Sequence, residues 1–206
     1  MKKKPAFLAA LLIAALSLTA CGNRPKAEDT AKTKPSQETK LKTAAAPDSD
    51  TTFENFKIMK SDGTGTELTN LLQDAELTVI NIWDPSCESC KDEMKAFSTI
   101  SGQYFGKGVQ IVGVIRGITQ KRDKDALAVI AETDANYVHL LDTKELDQQI
   151  LSKYPETPTT LFLNRDGQLV ADPYTGVKDQ AFWEKEIEKY HSQVCENDHP
   201  ADCATG

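Results

Sequence analysis

The residues best suited to chemistry are two cysteines, Cys87 and Cys90, which two residues separate in the segment NIWDPSCESC (81–90). This spacing suits a redox-active dithiol, half of a metal site or a structural bridge. A metal site needs further ligands, and none follows within the short distance that such sites use. A structural bridge across one helical turn closes a very short loop and therefore stabilises little. The spacing thus favours a redox dithiol, in which one thiolate attacks a disulfide and the second thiol resolves the product.

The elements around the pair should place it at the start of a helix. The run LTVINIW (77–83) is apolar, rich in β-branched residues and of strand length, which predicts a buried central strand. After the pair, apolar residues recur at steps of three and four, which predicts a helix face made of Cys90, Met94, Phe97, Ile100 and Tyr104. Cys87 then lies in the first helical turn, where unpaired N–H groups and the helix dipole favour a thiolate.

The rest of the chain alternates between strand and helix patterns, which predicts a layered α/β domain with a mixed sheet. Asp62 and Gly63 predict the turn of an early hairpin. Further strands are predicted at VQIVGVI, at YVHLL, at TTLFLN and, after a turn, from Gln168. Helices are predicted around KDALAVIAE, KELDQQILSKY and a final stripe of Trp183, Ile187, Tyr190 and Val194. His139, inside YVHLL, is predicted to be a core histidine and not a catalytic one.

The N-terminal region is predicted to lie outside the fold. Residues 1–20 combine a basic start, MKKKP, with a short apolar run, a pattern typical of a secretory signal peptide. The segment LTAC (18–21) resembles the lipobox of bacterial lipoproteins, which predicts that Cys21 is lipidated. Residues 21–52 have almost no large apolar side chains and are predicted to form a disordered tether. The rest of the chain is predicted to form a folded domain at 53–194, followed by a tail at 195–206 that contains a cysteine pair.

The charge of the chain excludes two classes of partner. The net charge is −7, and because residues 1–20 carry +3 and residues 21–52 carry +1, the remainder carries −11. An acidic domain is poorly suited to bind nucleic acid or to lie on anionic lipid. Nucleic acid is therefore not an expected partner, and no cofactor is expected either.

The C-terminal segment HSQVCENDHPADC could serve as a second site. His191, Cys195, His199 and Cys203 recur at four-residue steps, so on an unbroken helix they would form one metal-binding stripe. Pro200 would break such a helix where the last two ligands are needed. In an exported protein the pattern favours a Cys195–Cys203 disulfide, with zinc binding as the alternative.

Three segments together resemble a known family. They are TVINIWDPSCESC, YPETPTTLFLNRDGQLV and FKIMKSDGTGTELTNLL. They resemble thioredoxin-like proteins, and within these the exported, membrane-tethered reductases of the TlpA/ResA type. The resemblance runs from Phe53 to Tyr190. It implies a thioredoxin fold, an α/β fold whose central mixed β-sheet is flanked by helices, with an N-terminal β-hairpin extension.

The resemblance assigns roles to individual residues. Cys87 is similar to the attacking cysteine of the family and Cys90 to the resolving one. Pro158 matches the cis-proline, which brings the backbone of Thr157 against the dithiol to hold the substrate chain. Trp83 matches an aromatic platform beside the site.

Glu93 matches an acidic residue of the TlpA/ResA branch and, one helical turn from Cys90, could exchange protons with that thiol. Some positions depart from the family pattern. Asn81 replaces the buried aspartate of thioredoxin itself, Ser86 replaces a common aromatic residue, and Ser89 replaces a common proline. Client preference therefore cannot be transferred from other members.

The implied function is that of an exported thiol–disulfide oxidoreductase, lipid-anchored to the bacterial cell membrane. The acids Asp84 and Glu88 flank Cys87 and disfavour a thiolate, which favours a reductant. The resemblance implies electrons from a membrane thiol transporter of the CcdA type. It also implies oxidised client proteins such as apocytochromes or an exported methionine sulfoxide reductase.

Three alternatives to this function remain. The protein could instead donate its disulfide to clients, or isomerise disulfides. It could also be a metal-binding lipoprotein that uses the C-terminal cluster. A peroxiredoxin-like peroxidase is disfavoured, because that site requires threonine where Asp84 stands.

Overall fold

The computed structural model describes residues 51–197, which contain a five-stranded sheet, a separate hairpin and flanking helices. The predicted signal peptide, the predicted lipidation site Cys21, most of the predicted tether and the residues His199 and Cys203 lie outside the described part. Among residues 51–197, none of the helices combines the length and the apolar character that crossing a membrane would require.

The central sheet has the order β5-β4-β3-β6-β7. Its strands are β3 (Leu77–Trp83), β4 (Val109–Ile115), β5 (Val138–Leu141), β6 (Thr159–Asn164) and β7 (Tyr174–Thr175). β3, β4 and β5 are parallel, whereas β6 and β7 add antiparallel pairings, so the sheet is mixed as predicted. All residues of β3 are buried, because it lies at the centre and is covered on both faces. This strand carries the chain to the cysteine pair.

The N-terminal hairpin forms its own two-stranded sheet from β1 (Lys57–Met59) and β2 (Gly65–Glu67). Its turn lies at the predicted position, and Gly63 adopts a φ of +94°, which glycine tolerates without steric cost. Just after β1, Lys60 bridges to Leu140 of β5, and the Ser61 N–H donates to the His139 carbonyl. The hairpin is thereby joined to the β5 edge of the main sheet.

Helices cover both faces of the sheet. α2 (Glu88–Tyr104), α3 (Lys124–Thr133) and α5 (Gln180–Asn197) pack on one face. The hairpin, α1 (Leu68–Leu72) and α4 (Lys144–Leu146), which continues as a π-helical turn at Asp147–Leu151, pack on the other. This layering matches the predicted thioredoxin fold.

The strand predicted from Gln168 is wrong. Gln168 and Leu169 form only isolated bridges, to Thr52 and Leu163, and the strand that extends the sheet is β7. The Asn164 side chain accepts a hydrogen bond from the Gln168 N–H, which closes a tight turn instead of starting a long ladder. Pro173, just before β7, also lacks the N–H that a continuous ladder would need.

Candidate active site

The chain leaves β3 at Trp83 and places Cys87 as the N-terminal cap of α2. The Cys87 N–H donates to the Asp84 carbonyl at 3.1 Å, which closes the connecting turn. Cys87 and Cys90 are joined in a disulfide with their Cα atoms 5.3 Å apart. Cys87 is partly exposed, whereas Cys90 is only 1% exposed. A protein substrate can therefore reach Cys87, which fits the predicted division into an attacking and a resolving cysteine.

Two donors point at the sulfur of Cys87. The Cys90 N–H lies 3.2 Å from Cys87 Sγ, and the Ser89 hydroxyl lies 3.5 Å from it. The 17-residue helix α2 begins at this point, so its dipole also favours negative charge on the sulfur. These groups would stabilise the thiolate that forms when the disulfide is reduced.

The cis-proline loop lies next to the disulfide. The Thr157–Pro158 peptide bond is cis, as predicted. In the antiparallel pairing of β3 with β6, Ile82 lies opposite Thr159, so the next pair along brings Pro158 opposite Trp83. The Thr157 hydroxyl donates to Asp84 Oδ2 at 2.9 Å, which links this loop to the turn before Cys87.

Trp83 is placed differently from the predicted aromatic platform. Its side chain is 0% exposed and packs with Cys90 and Met94 beneath the disulfide, so no substrate chain reaches it in this structure. Its indole N–H donates to His139 Nδ1 at 3.3 Å. The sequence could not show this burial, because a tryptophan at a strand end fits a core position and an exposed platform equally well.

His139 is a core residue, as predicted. It is buried, and Nε2 donates to the Ala135 carbonyl at 2.8 Å while Nδ1 accepts from Trp83. Burial lowers the pKa of His139 to about 4, so the imidazole is neutral at pH 7. A neutral ring with both nitrogens engaged supports the packing of Trp83 and has no evident catalytic use.

Glu93 is a buried carboxyl group one helical turn after Cys90. It is 1% exposed, and it accepts hydrogen bonds from Asn81 Nδ2 at 2.7 Å and from the Lys178 N–H at 3.2 Å. Burial raises the pKa of Glu93 to about 7, although these hydrogen bonds oppose the rise. The group can therefore gain or lose a proton near neutral pH, which suits the predicted exchange with Cys90.

Asp84 and Arg116 are two site residues whose contacts the sequence did not indicate. Partial burial raises the pKa of Asp84, but hydrogen bonds from Ser86 and Thr157 outweigh this effect and hold the pKa below its ordinary value. Arg116 follows β4, and its guanidinium donates to the carbonyls of Leu151 and Tyr154. One indication in the sequence that Arg116 belongs to the site is its position directly after β4. Residues that follow parallel strands lie at the same edge of the sheet.

The predicted C-terminal site is only partly described. On α5, His191 Nε2 lies 4.0 Å from Glu76 Oε2, near the start of β3 and so at the opposite end of that strand from Cys87. Within residues 51–197, no three His, Cys, Asp or Glu side chains are grouped closely enough to hold a metal ion. Cys195 lies on the same helix, but the predicted Cys195–Cys203 disulfide stays a prediction, because Cys203 lies outside the described part.

A disulfide at the start of the helix that follows the central strand, beside a cis-proline, defines the class of protein. It is a thiol–disulfide oxidoreductase with a thioredoxin-like fold. Residues 49–172 match the AhpC/TSA family, and the chain belongs to that family. Among curated proteins, none matches the chain in sequence.

Several solved structures are similar to the chain in fold. The thioredoxin domain of a thiol–disulfide oxidoreductase from Bacteroides vulgatus is 18% identical over 72% of this chain and 99% of that one, with a TM-score of 0.56. A thioredoxin-family thiol:disulfide interchange protein from Chlorobium tepidum is 15% identical over 72% and 99%, with a TM-score of 0.58. A thiol:disulfide interchange protein from a Bacteroides species is 18% identical over 77% and 97%, with a TM-score of 0.56.

Proposed function

We propose that the protein is an exported reductase of the TlpA/ResA type that reduces disulfides in client proteins. The observation that carries this proposal is the disulfide between a partly exposed Cys87 and a buried Cys90 at the start of α2. In such a pair the sulfur of Cys87 can attack a client disulfide or be attacked by a client thiolate. The sulfur of Cys90 lies within bonding distance and can then resolve the mixed disulfide.

The reaction begins with the reduced protein. The Cys87 thiolate attacks one sulfur of a client disulfide, a mixed disulfide forms, and the second client sulfur leaves as a thiolate and takes up a proton. Cys90 then gives its proton to Glu93 and attacks Cys87 Sγ, and the other client sulfur leaves as a thiolate. This thiolate takes up a proton, and Glu93 releases its own, which restores the carboxylate. Two electrons pass from the protein to the client, and the Cys87–Cys90 disulfide is restored.

The charges around Cys87 favour this direction. Asp84 is ionised at pH 7, since its pKa lies below the ordinary value. Glu88 is exposed and paired with Lys91 at 3.0 Å, so Asp84 contributes more of the negative field. A negative neighbour disfavours the thiolate and hence stabilises the disulfide relative to the reduced form, which makes the reduced protein a better electron donor.

The reduction potential of the pair tests the direction. We expect a potential near or below roughly −220 mV, measured by titrating the mature protein against glutathione or dithiothreitol and counting mass-tagged thiols. A double Cys195→Ser, Cys203→Ser variant serves as the control, because it leaves Cys87 and Cys90 as the titrating pair. A value near roughly −120 mV would instead mean that the protein is an oxidant.

The proposed location is the outer face of a bacterial cell membrane, held by a lipid on Cys21. The support is the signal-peptide pattern and lipobox at residues 1–21 and the tether at 21–52, whose length corresponds to a reach of roughly 30 Å. We propose a CcdA-type membrane thiol transporter as electron donor. Apocytochromes or an exported methionine sulfoxide reductase are the proposed clients.

Lipidation is testable by metabolic labelling of a bacterial culture with an alkyne fatty acid. We expect the full chain to be labelled and the Cys21→Ser variant to carry no label, because the thioether forms on this thiol. Cys87→Ser and Cys195→Ser are matched controls that change other cysteines and should keep full labelling. Equal labelling of Cys21→Ser and the unchanged chain would contradict the anchor.

A further inference from the structure

The carboxylate of Asp84 joins two loops of the site. Its Oδ1 accepts from the N–H and the hydroxyl of Ser86, at 2.9 and 2.6 Å, which shapes the turn before Cys87. Its Oδ2 accepts from the Thr157 hydroxyl at 2.9 Å. One side chain thus connects the dithiol turn to the cis-proline loop, although 73 positions separate Asp84 from Thr157.

The beginning of the cis-proline loop is held independently. Arg116 donates from its guanidinium to the carbonyls of Leu151 and Tyr154, and its backbone N–H donates to the Trp83 carbonyl at 2.8 Å. The loop is therefore attached at its start through Arg116 and at its end through Asp84. Of these two attachments, the one at Asp84 involves Thr157, the residue whose backbone is expected to hold the client.

The Asp84 carboxylate also retains its negative charge. Its hydrogen-bond donors Ser86 and Thr157 are neutral and do not compensate the charge. The positive charge of Arg116 also lowers the pKa of Asp84 and so keeps the carboxylate ionised, while the Arg116 Nη2 donates to backbone carbonyls. Asp84 is partly buried, lies three residues before Cys87 and is hydrogen-bonded to Thr157, so its charge lies beside the two residues that a client chain is expected to contact. The neighbouring Glu156 is exposed and acidic, so it adds to the same negative field.

We propose that Asp84 is a positioning and specificity residue of the reductase site. It holds Thr157 against the dithiol turn, and its charge favours client disulfides flanked by lysine or arginine over those flanked by aspartate or glutamate. This inference deepens the proposed function and rests on it.

The test uses two synthetic peptide disulfides that differ only in having lysine or glutamate beside each cysteine. The pre-reduced mature protein is mixed with each peptide, and the second-order rate constant for reduction is measured. We expect the lysine peptide to react about tenfold faster, as a few-ångström charge contact in partly screened solvent allows. This preference should decline as salt is added.

Two variants separate charge from attachment. In Asp84→Asn the ratio of the two rate constants should fall several-fold toward one, because the Asp84 charge is lost while Glu156 keeps its own. The amide oxygen can still accept from Ser86, and the amide Nδ2 can donate to the Thr157 hydroxyl, so both links to the side chain can persist. In Thr157→Val the ratio should persist while both rate constants fall several-fold, because the loop loses its hydrogen bond but the charge stays. Asp62→Asn is the matched control: Asp62 Oδ1 accepts from the N–H and hydroxyl of Thr64 in the same manner, and it lies in the hairpin turn.

Each outcome bears on a different statement. An unchanged ratio in Asp84→Asn, or equal rates with both peptides for the unchanged protein, overturns the proposed specificity while the reductase function stands. Unchanged rate constants in Thr157→Val overturn the positioning role. If the unchanged protein reduces neither peptide, the proposed function fails and the inference fails with it. Thermal unfolding of each variant establishes that a lost rate is not a lost fold.

Discussion

Replacing Cys87 with serine should abolish reduction of a client disulfide, with a loss on the order of a thousandfold or more. A serine hydroxyl is scarcely ionised at neutral pH and cannot form a disulfide. The buried Cys90 is poorly placed to attack in its stead, since it is only 1% exposed. The measurement is a single turnover of the pre-reduced protein with a peptide disulfide, followed by mass spectrometry.

The Cys90→Ser variant should behave differently from Cys87→Ser. Cys87 can still attack, but no second thiol resolves the mixed disulfide, so the covalent complex with one client half should accumulate. The double Cys195→Ser, Cys203→Ser variant is the matched control and should react like the unchanged protein, because it adds no free thiol. Reduction by Cys87→Ser at the original rate would remove the basis of the proposed mechanism.

Replacing Glu93 with glutamine should have the second-largest effect on the reaction. Resolution of the mixed disulfide should slow on the order of 100-fold, because Cys90 loses the group proposed to take its proton. In the unchanged protein the resolution rate should rise with pH through the pKa of Glu93, which is about 7. The variant should lose this rise. Release of client from a preformed mixed disulfide, followed across pH 5 to 9 by stopped flow, measures both effects.

The same substitution should change stability in a pH-dependent way. The pKa of Glu93 rises from 4.5 to about 7 on folding, so the folded state binds the extra proton between these values. Glu93 therefore favours the folded state at pH below 4.5, and that contribution, about 3 kcal/mol, is lost as the pH rises through 7. Relative to the unchanged protein, Glu93→Gln should gain about this amount between pH 4.5 and 8, measured by urea unfolding.

His139 provides a control of opposite sign. Its pKa falls from 6.5 to about 4 on folding, so its contribution is present above pH 6.5 and is lost as the pH falls through 4. In a His139→Gln variant the free energy of unfolding should therefore lose its rise with pH between about 4 and 6.5. The Glu93→Gln variant keeps His139 and should keep that rise. Because the two contributions oppose each other over overlapping pH ranges, they partly cancel in the unchanged protein, and the two variants separate them. Parallel curves for both variants and the unchanged protein would contradict these assignments.

The sequence predicted the parts of the site that depend on local pattern. The seven-residue run of β3, apolar and rich in β-branched residues, predicted a buried strand, and the helical spacing after the cysteine pair predicted that the pair starts the next helix; both predictions are confirmed. Pro158 and Glu93 were located through resemblance to a family. These residues follow either from periodicity over a few residues or from a motif of fixed spacing.

The remaining parts depend on contacts between distant segments. The hydrogen bond from Thr157 to Asp84 becomes visible only when the register of β3 and β6 is known, and the one from Asn81 to Glu93 only when the packing of α2 on β3 is known. Burial of Trp83 depends on α3 and on His139 of β5, neither of which is near it in the sequence. The isolated bridges at Gln168 arise from a side-chain hydrogen bond of Asn164 that apolar patterning does not reveal.

The hairpin joined to β5 affects how this protein can meet extended chains. A sheet edge with unpaired N–H and carbonyl groups templates aggregation with other polypeptides. Here Lys60 and Ser61 occupy part of the β5 edge, and at the opposite edge β7 is only two residues long. Both borders of the sheet thus present little free backbone. If the protein acts on extended client chains as proposed, these short and covered edges leave such chains little backbone to pair with, so we expect contact with clients not to lead to mixed β-aggregates.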